Sequence, residues 1–230
     1  MATFLSARWD NLCLLTYAVP PELLQPRLPP GLTLDLRDGQ AFVSLVAFQF
    51  ADIRVLGLPV PGYRHFPEMN LRFYVRQGTE RGVVFIREFV PQRVVAGMAR
   101  VLYNEPYLAT PMRESITGDD QQLTASYGIQ LDGRWHTVRV TGQKPTIVPP
   151  ETSDEHFFKE HRWGFGRDRR GHLVRYGVTH PVWAVHPVSE WHLDFDWQQV
   201  YGSQWAFLQA QAPYSVVLAV GSPITVSMKL

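Results

Sequence analysis

Two charged residues in the middle of an apolar segment are the first candidates for chemistry in this sequence. Arg87 and Glu88 interrupt the strand-like residues 84–90, in which all the remaining side chains are apolar. An ionised group is costly to bury unless it faces an opposite charge, a ligand or water. The pattern therefore predicts either a salt-bridged pair or a polar pocket in which Glu88 acts as an acid or base and Arg87 binds a carboxylate.

The alternation of side chains along a strand separates these two charges. Arg87 falls on one face with Phe85 and Phe89, and Glu88 falls on the opposite face with Ile86. We therefore expect one of the two side chains to point into the pocket and the other to point away.

A second polar set lies on the preceding strand-like segment, residues 68–75. Alternation places Glu68, Asn70, Arg72 and Tyr74 on one face of that strand. Such a face either contacts solvent or lines an internal cavity. In a cavity, the carboxyl, amide, guanidinium and phenol groups suit a ligand rich in oxygen.

A predicted helix after residue 92 carries further polar groups. Apolar residues recur with a helical period over residues 93–104, and on such a helix Arg100, Tyr103 and Asn104 lie one above another. The proline that follows Glu105 ends the helix. Functional groups often lie where a helix gives way to a loop, which makes Tyr103 and Glu105 candidates for a site.

These three segments define the predicted site. We predict Glu105, Tyr103 and Glu88 as its catalytic acids or bases. The predicted substrate-binding residues are Glu68, Asn70, Arg72, Arg87, Arg100, Asn104 and Tyr107. The sequence leaves open which of the acidic residues face the cavity.

Histidine and cysteine spacing does not indicate a metal site. His156 and His161 are five residues apart, which separates them by about 140° on a helix, whereas zinc helices space their histidines at i and i+4. His180 and His186 are too far apart along a strand to share one ion. Cys13 is the sole cysteine and lies in an apolar run, so we expect a buried, inert thiol. We therefore predict no metal, and we predict no cofactor because the sequence has no glycine-rich phosphate loop.

The elements that position these residues are mostly strands. Asp-Gly pairs at residues 38–39 and 132–133 are strong signals for two-residue hairpins, because glycine accepts the positive φ that these turns need. Gly171 marks a third turn. Each of the three is expected to join two antiparallel strands.

A closing hairpin and two further helices complete the predicted elements. Strands over residues 214–220 and 224–228 are expected to pair around a turn at residues 221–223. Short helices are expected over residues 154–161 and 197–208. The predicted fold class is mainly β (α+β): a single domain over residues 1–230, with an antiparallel barrel favoured over a sandwich.

The composition limits the classes of partner. The net charge is +1, so the chain as a whole does not attract nucleic acid or an anionic membrane electrostatically. Of its residues, 45% are apolar, as in an ordinary globular protein. No apolar stretch reaches the length of a membrane span, and charged residues interrupt the N-terminal segment where a signal peptide needs an apolar core. We expect a cytoplasmic protein with a small-molecule ligand.

Several strings of the sequence resemble a known family. Residues 4–50, the segments NLRFYV, GVVFIREFVP and ARVLYNEPY, and the closing AVGSPITV resemble the uncharacterised YqjF-like proteins of the acetoacetate-decarboxylase-like superfamily. The resemblance implies a cone-shaped antiparallel β-barrel with peripheral helices and an internal cavity. It also allows a homo-oligomer, since barrels of this superfamily commonly assemble.

The resemblance does not carry over the lysine chemistry of acetoacetate decarboxylase. The paired lysines of that enzyme would fall at Tyr107 and Leu108 of this chain. Lys159 belongs to a polar predicted helix, and the other two lysines also lie away from apolar surroundings. We therefore expect no lysine imine. The site carboxylate that the resemblance implies would fall near Glu68 or Asn70.

Two functions remain from the sequence. One is an enzyme that uses acid/base chemistry of lyase or isomerase type on a small carbonyl or carboxylate compound, with Tyr103 or Tyr107 as proton donor. The alternative is a non-catalytic module that binds or senses an apolar or weakly acidic metabolite. A role as a protein scaffold is a third, weaker hypothesis. The sequence does not decide whether the protein is an enzyme.

Overall fold

A computed structural model describes residues 3–60, 65–93, 97 and 106–227. Strands dominate these residues and helices are short, which confirms the prediction of a mainly β fold. The strands are β1 (Thr3–Val19), β2 (Thr33–Leu34), β3 (Ala41–Val55), β4 (Leu58–Pro59), β5 (His65–Gln77), β6 (Glu80–Val90), β7 (Tyr107–Ala109), β8 (Met112–Gly118), β9 (Gln122–Leu131), β10 (Arg134–Gln143), β11 (Trp163–Arg167), β12 (Leu173–Thr179), β13 (Val185–His186), β14 (Val188–Asp194) and β15 (Ser215–Ser227).

The helices are short and lie between strands. They are α1 (Asp154–Lys159), α2 (Trp197–Tyr201) and the 3-10 turns Pro21–Leu23, Gln25–Arg27 and Ser203–Ala210. Ser153 caps α1, because its hydroxyl accepts a hydrogen bond from the His156 backbone N–H at 3.2 Å. The predicted helix over 197–208 is divided at Gly202, where φ is +106°. The predicted helix over 93–104 lies almost entirely outside the described residues.

The strand pairings of the larger sheet close on themselves. The hydrogen-bonded order runs β5-β3-β1-β15-β12-β11-β6, and β6 pairs back with β5, which forms a ring of strands. Most neighbours are antiparallel, although β11 and β7 each pair with β6 in parallel. A second sheet, in the order β14-β10-β9-β8, is antiparallel throughout.

The two faces of the ring have different partners because side chains alternate along each strand. On β1, Leu12 and Leu14 pack on the inner side, whereas Cys13 and Leu15 belong to the core shared with the second sheet and α2. Cys13 is fully buried, and burial raises the pKa of its thiol far above the usual range. The expectation of a buried, inert cysteine is thus confirmed.

Two of the predicted hairpins form, and a third is reduced to its turn. The Asp132-Gly133 turn joins β9 to β10, and the turn that ends at Gly171 joins β11 to β12. At residues 38–39 the tight turn is present, but only one bridge pair, Arg37 with Gln40, flanks it. The strands on either side of this turn do not pair with each other because both have other partners: β2 pairs with β5, and β3 pairs with β1 and β5.

The predicted closing hairpin is wrong. Residues 215–227 form one continuous strand, β15, which pairs with β1 along nearly its whole length. The 17 residues of β1 are long enough to pair with both predicted halves. Gly221 therefore does not turn the chain. It has φ +86°, and a Cβ at this position would lie 1.9 Å from the Trp9 carbonyl oxygen, so glycine permits a close approach of β15 to β1.

Among the described helices, none combines the length and the apolar composition needed to cross a membrane.

The close approach at Gly221 yields a test with a matched control. Gly171 has nearly the same φ, +85°, but nothing lies within 4 Å of its added Cβ. We expect Gly171→Ala to cost about 1 kcal/mol of unfolding free energy from backbone strain. Gly221→Ala should cost roughly 1–3 kcal/mol more, from overlap with Trp9. Urea unfolding of both variants measures the difference, and equal costs would contradict the proposed role of the close approach.

Candidate functional site

A cavity of about 200 Å³ lies on the inner side of the ring. Its wall is mostly apolar, and it is formed by residues of β1, β3, β5, β6, β7, β11, β12 and β15 together with α1 and the segment before β13. Five of the residues predicted from the sequence for the site line it: Glu68, Asn70, Arg72, Glu88 and Tyr107. Three of the four residues predicted to share a face of β5, Glu68, Asn70 and Arg72, therefore line the cavity, whereas Tyr74 packs against Phe158.

Strand register brings four of these residues together. Asn70 on β5 is directly opposite Glu88 on β6, and Glu88 is paired in turn with Tyr107 on β7. Glu68 lies two residues from Asn70 on the same strand and therefore on the same face. Glu68, Asn70 and Glu88 are all less than 5% exposed.

A β-bulge corrects the predicted orientation of β6. Leu71 pairs with Arg87 while Arg72 pairs with Phe85, which leaves Ile86 as an extra residue on β6. Strict alternation placed Phe85 and Glu88 on opposite faces, but the extra residue puts both on the cavity wall. Arg87 lies apart from this cluster and donates a hydrogen bond to the Val200 backbone carbonyl.

Glu68 is at the centre of the polar cluster. It accepts hydrogen bonds from Asn70 Nδ2 and from the Tyr107 hydroxyl, each at 3.3 Å, and it is also hydrogen-bonded to Glu88. Burial raises the pKa of Glu68 from 4.5 to about 7, and the three hydrogen bonds limit this rise. A carboxyl group in this range can accept or release a proton near neutral pH.

Arg72 supplies a positive charge beside these carboxyl groups. Its guanidinium donates to the Phe158 backbone carbonyl at 3.0 Å, and its Nε has no hydrogen-bond partner among the residues described. Within that part of the chain, no carboxylate forms an ion pair with Arg72. The group can therefore bind an anion without breaking an existing salt bridge.

The expectation for Lys159 is wrong. Lys159 is only 1% exposed and lines the cavity, although its segment reads as a polar helix. Its neighbours Phe157 and Phe158 are buried in an aromatic cluster with Tyr74, and this packing draws the end of α1 inward. Two consecutive phenylalanines before the lysine are the signal by which the burial could have been predicted.

The Lys159 ammonium is neutralised by its neighbour in sequence. It forms an ion pair with Glu160, whose carboxylate also accepts the Trp183 backbone N–H at 3.2 Å. His180 Nδ1 lies 3.8 Å from the same carboxylate, and the His180 ring stacks on Trp183 with 3.9 Å between centroids.

Two histidines of the cavity wall were not predicted as site residues. Burial lowers the pKa of His161 well below its usual value, and the charges of Arg72 and Arg81 lower it further. Burial also lowers the pKa of His180. Both imidazoles are therefore neutral near pH 7 and can accept or donate a hydrogen bond.

Four predicted site residues cannot be placed. Arg100, Tyr103, Asn104 and Glu105 lie outside the described residues. Within the described ranges, no three histidine, cysteine or acidic side chains are grouped so that they could hold a metal ion.

Comparison with known proteins identifies the family. Residues 6–223 match DUF2071, described as an uncharacterized conserved protein. The chain belongs to the DUF2071 family. YqjF of Bacillus subtilis (strain 168), also uncharacterized, is 33% identical to it over 178 residues, which are 77% of this chain and 73% of YqjF. The resemblance to YqjF-like proteins is thus confirmed.

Solved structures confirm the acetoacetate-decarboxylase-like fold for this DUF2071 protein. The enduracididine biosynthesis enzyme MppR, with HEPES buffer bound, is similar with a TM-score of 0.66 and 17% identity, over 100% of this chain and 88% of MppR. Acetoacetate decarboxylase from Legionella pneumophila is similar with a TM-score of 0.61 and 13% identity, over 99% of this chain and 87% of that one. At these identities the likeness establishes the fold alone.

The raised pKa of Glu68 predicts how stability depends on pH. The folded state holds this proton up to about pH 7, whereas an unfolded glutamate releases it near 4.5, so stability is lost as pH rises between these values. Glu68→Gln removes the effect. Relative to the wild type, the variant should gain roughly 2–3 kcal/mol of unfolding free energy between pH 5 and pH 8.

Urea unfolding at the two pH values measures this gain. Glu190→Gln is the matched control because Glu190 is an exposed glutamate on β14. The same pH dependence in the wild type and in Glu68→Gln would show that the burial of Glu68 does not perturb its titration.

Proposed function

We propose that the cavity binds a small carbonyl or carboxylate compound and that Glu68 is the general base acting on it. The observation that carries this proposal is the buried Glu68–Glu88 pair, in which Glu68 has a pKa of about 7 within an apolar wall. Paired carboxyl groups whose environments perturb their titration are a recurrent arrangement for acid/base catalysis.

Each group of the cluster has a defined part in the proposed reaction. The Arg72 guanidinium holds the carboxylate of the ligand. The Glu68 carboxylate takes a proton from the carbon next to the ligand carbonyl, and the electron pair of the C–H bond moves to give an enolate. Asn70, Tyr107 and Glu88 hold the Glu68 carboxylate in position through their hydrogen bonds. Return of a proton to carbon completes an exchange reaction.

The relatives support a ligand of this class. MppR has been solved in complex with pyruvate, a small oxo acid. We also propose that the closed ring of strands is the cone-shaped barrel implied by the family resemblance, since its pairings close and its inner side encloses the cavity.

Proton exchange into pyruvate tests the proposed base. In deuterated buffer, we expect the protein to catalyse replacement of the methyl protons of pyruvate, followed by ¹H NMR. The rate should rise with pH and level off above about pH 7, because only the ionised form of Glu68 is a base. Glu68→Gln should lower the rate by at least about 100-fold.

The control for this experiment is again Glu190→Gln, which should leave the exchange rate unchanged. Pyruvate that binds without any exchange above the buffer rate would contradict catalysis. That result would favour the non-catalytic binding module.

One observation favours a second function, an imine between Lys159 and a carbonyl ligand. Lys159 is a buried amine in the cavity wall, which is the setting of many lysine nucleophiles. The ion pair with Glu160 opposes this function, because the Lys159 nitrogen is already held by a carboxylate and would have to leave it to attack a carbonyl.

Reduction with borohydride decides between these two functions. The protein is incubated with pyruvate and sodium borohydride at neutral pH and then analysed by peptide mass spectrometry. We expect no reduced adduct on the peptide that contains Lys159. An adduct there, absent from Lys159→Met, would replace the acid/base proposal with imine chemistry.

A further inference from the structure

One part of the cavity wall is built from aromatic side chains that the proposed proton transfer does not use. Trp9, Phe48, Phe50, Phe66 and Trp183 all line the cavity. The ring centroids of Trp9 lie 5.1 Å from Phe48, 5.9 Å from Phe50 and 6.3 Å from Trp183. Phe50 stacks on Phe66 with 5.4 Å between centroids and 17° between planes. We call these five residues the aromatic wall.

The aromatic wall adjoins the proposed base. Phe66 and Glu68 are two residues apart on β5 and share its inner face, so their Cα atoms are about 7 Å apart. Across the sheet, Phe48 is directly opposite Glu68 and Phe50 is opposite Phe66. Arg72 lies on the other side of Glu68 along the same strand. A ligand whose reacting carbon meets Glu68 can therefore extend toward aromatic rings on one side and toward a guanidinium on the other.

The charges of the cavity favour an anion over a cation. Aromatic rings can also surround an organic cation, and Glu68 would attract one. However, Arg72 is in the wall and has no carboxylate partner among the described residues, whereas the Lys159 ammonium is already paired with Glu160. A cation against the aromatic wall would leave that guanidinium unpaired, whereas a carboxylate would neutralise it.

We propose that the physiological ligand is an oxo acid with an aromatic side chain. Its carboxylate pairs with Arg72, its carbonyl-bearing segment lies at Glu68, and its ring packs against the aromatic wall. Rings packed edge to face or in offset stacks gain more than their buried area alone provides. The inference rests on the proposed function, because it identifies the substrate class of the same site.

Pyruvate and phenylpyruvate form a matched pair of probes, since they share the oxo acid group and differ by one phenyl ring. Binding is measured by isothermal titration calorimetry of the purified wild-type protein with each compound. We expect phenylpyruvate to bind about tenfold more tightly or better, because the phenyl ring is buried against apolar surface. Equal or weaker binding of phenylpyruvate would overturn the inference and leave the proposed function standing.

Substitutions of three phenylalanines separate a direct contact from a loss of fold. Phe50→Leu and Phe66→Leu should each weaken phenylpyruvate binding at least about threefold more than they weaken pyruvate binding. Phe73→Leu is the control, because Phe73 is fully buried on β5 in the core on the opposite face of the sheet. If Phe73→Leu had the same effect as the other two, the aromatic wall would not be the binding surface.

A cationic probe tests whether the cavity prefers a cation to an anion. Benzyltrimethylammonium carries a ring and a positive charge, and we expect it to bind more weakly than phenylpyruvate. Tighter binding of this cation would overturn the inference in favour of an aromatic cage for ammonium groups. If the wild type bound none of the three compounds, that result would contradict both the proposed function and this inference.

Discussion

Hydrogen bonding between β5 and β6 closes the ring of strands, and the polar cluster of the cavity depends on this closure. The same register that pairs the two strands places Asn70 opposite Glu88, with Glu68 one step along the inner face. An open sheet would leave these carboxyl groups in water, where the pKa of Glu68 would be ordinary. Closure surrounds them with the apolar side chains of β1 and β3, and burial then holds a proton on Glu68 up to about pH 7.

The fold treats its buried charges in two ways. Some are paired with an opposite charge: Asp35 lies 2.7 Å from Arg76 and 2.5 Å from Arg81, and Lys159 in the cavity wall pairs with Glu160. In the part of the chain that the structure describes, two other groups of the cavity have no opposite charge as partner. Glu68 accepts hydrogen bonds from Asn70 and Tyr107, and Arg72 donates one to a backbone carbonyl. Since a carboxylate or guanidinium that lacks an opposite charge is costly to remove from water, a ligand explains the second arrangement better than stability does.

Local patterns were sufficient to predict much of the fold and part of the site. Alternation on β5 placed Glu68, Asn70 and Arg72 on one face, and the turn residues located the β9–β10 and β11–β12 hairpins. The errors arose where a distant contact overrides the local pattern. Gly221 resembles a turn residue, but a long partner strand keeps β15 extended. The polarity of Lys159 does not reveal that two buried phenylalanines bring it into the cavity. Of the third segment of the predicted site, Arg100, Tyr103, Asn104 and Glu105 lie outside the described residues.

The bulge at Ile86 has a consequence for how related chains are aligned. Its extra residue sits between Phe85 and Glu88, and both of these side chains face inward. A homologue shortened by one residue at this point would have a regular strand and would still present the same two side chains to the interior. A deletion between two regularly paired positions would instead reverse the orientation of every residue beyond it. In a sequence alignment, a gap of one residue in this strand therefore belongs at the bulge, even where matching the adjacent residue types would place it elsewhere.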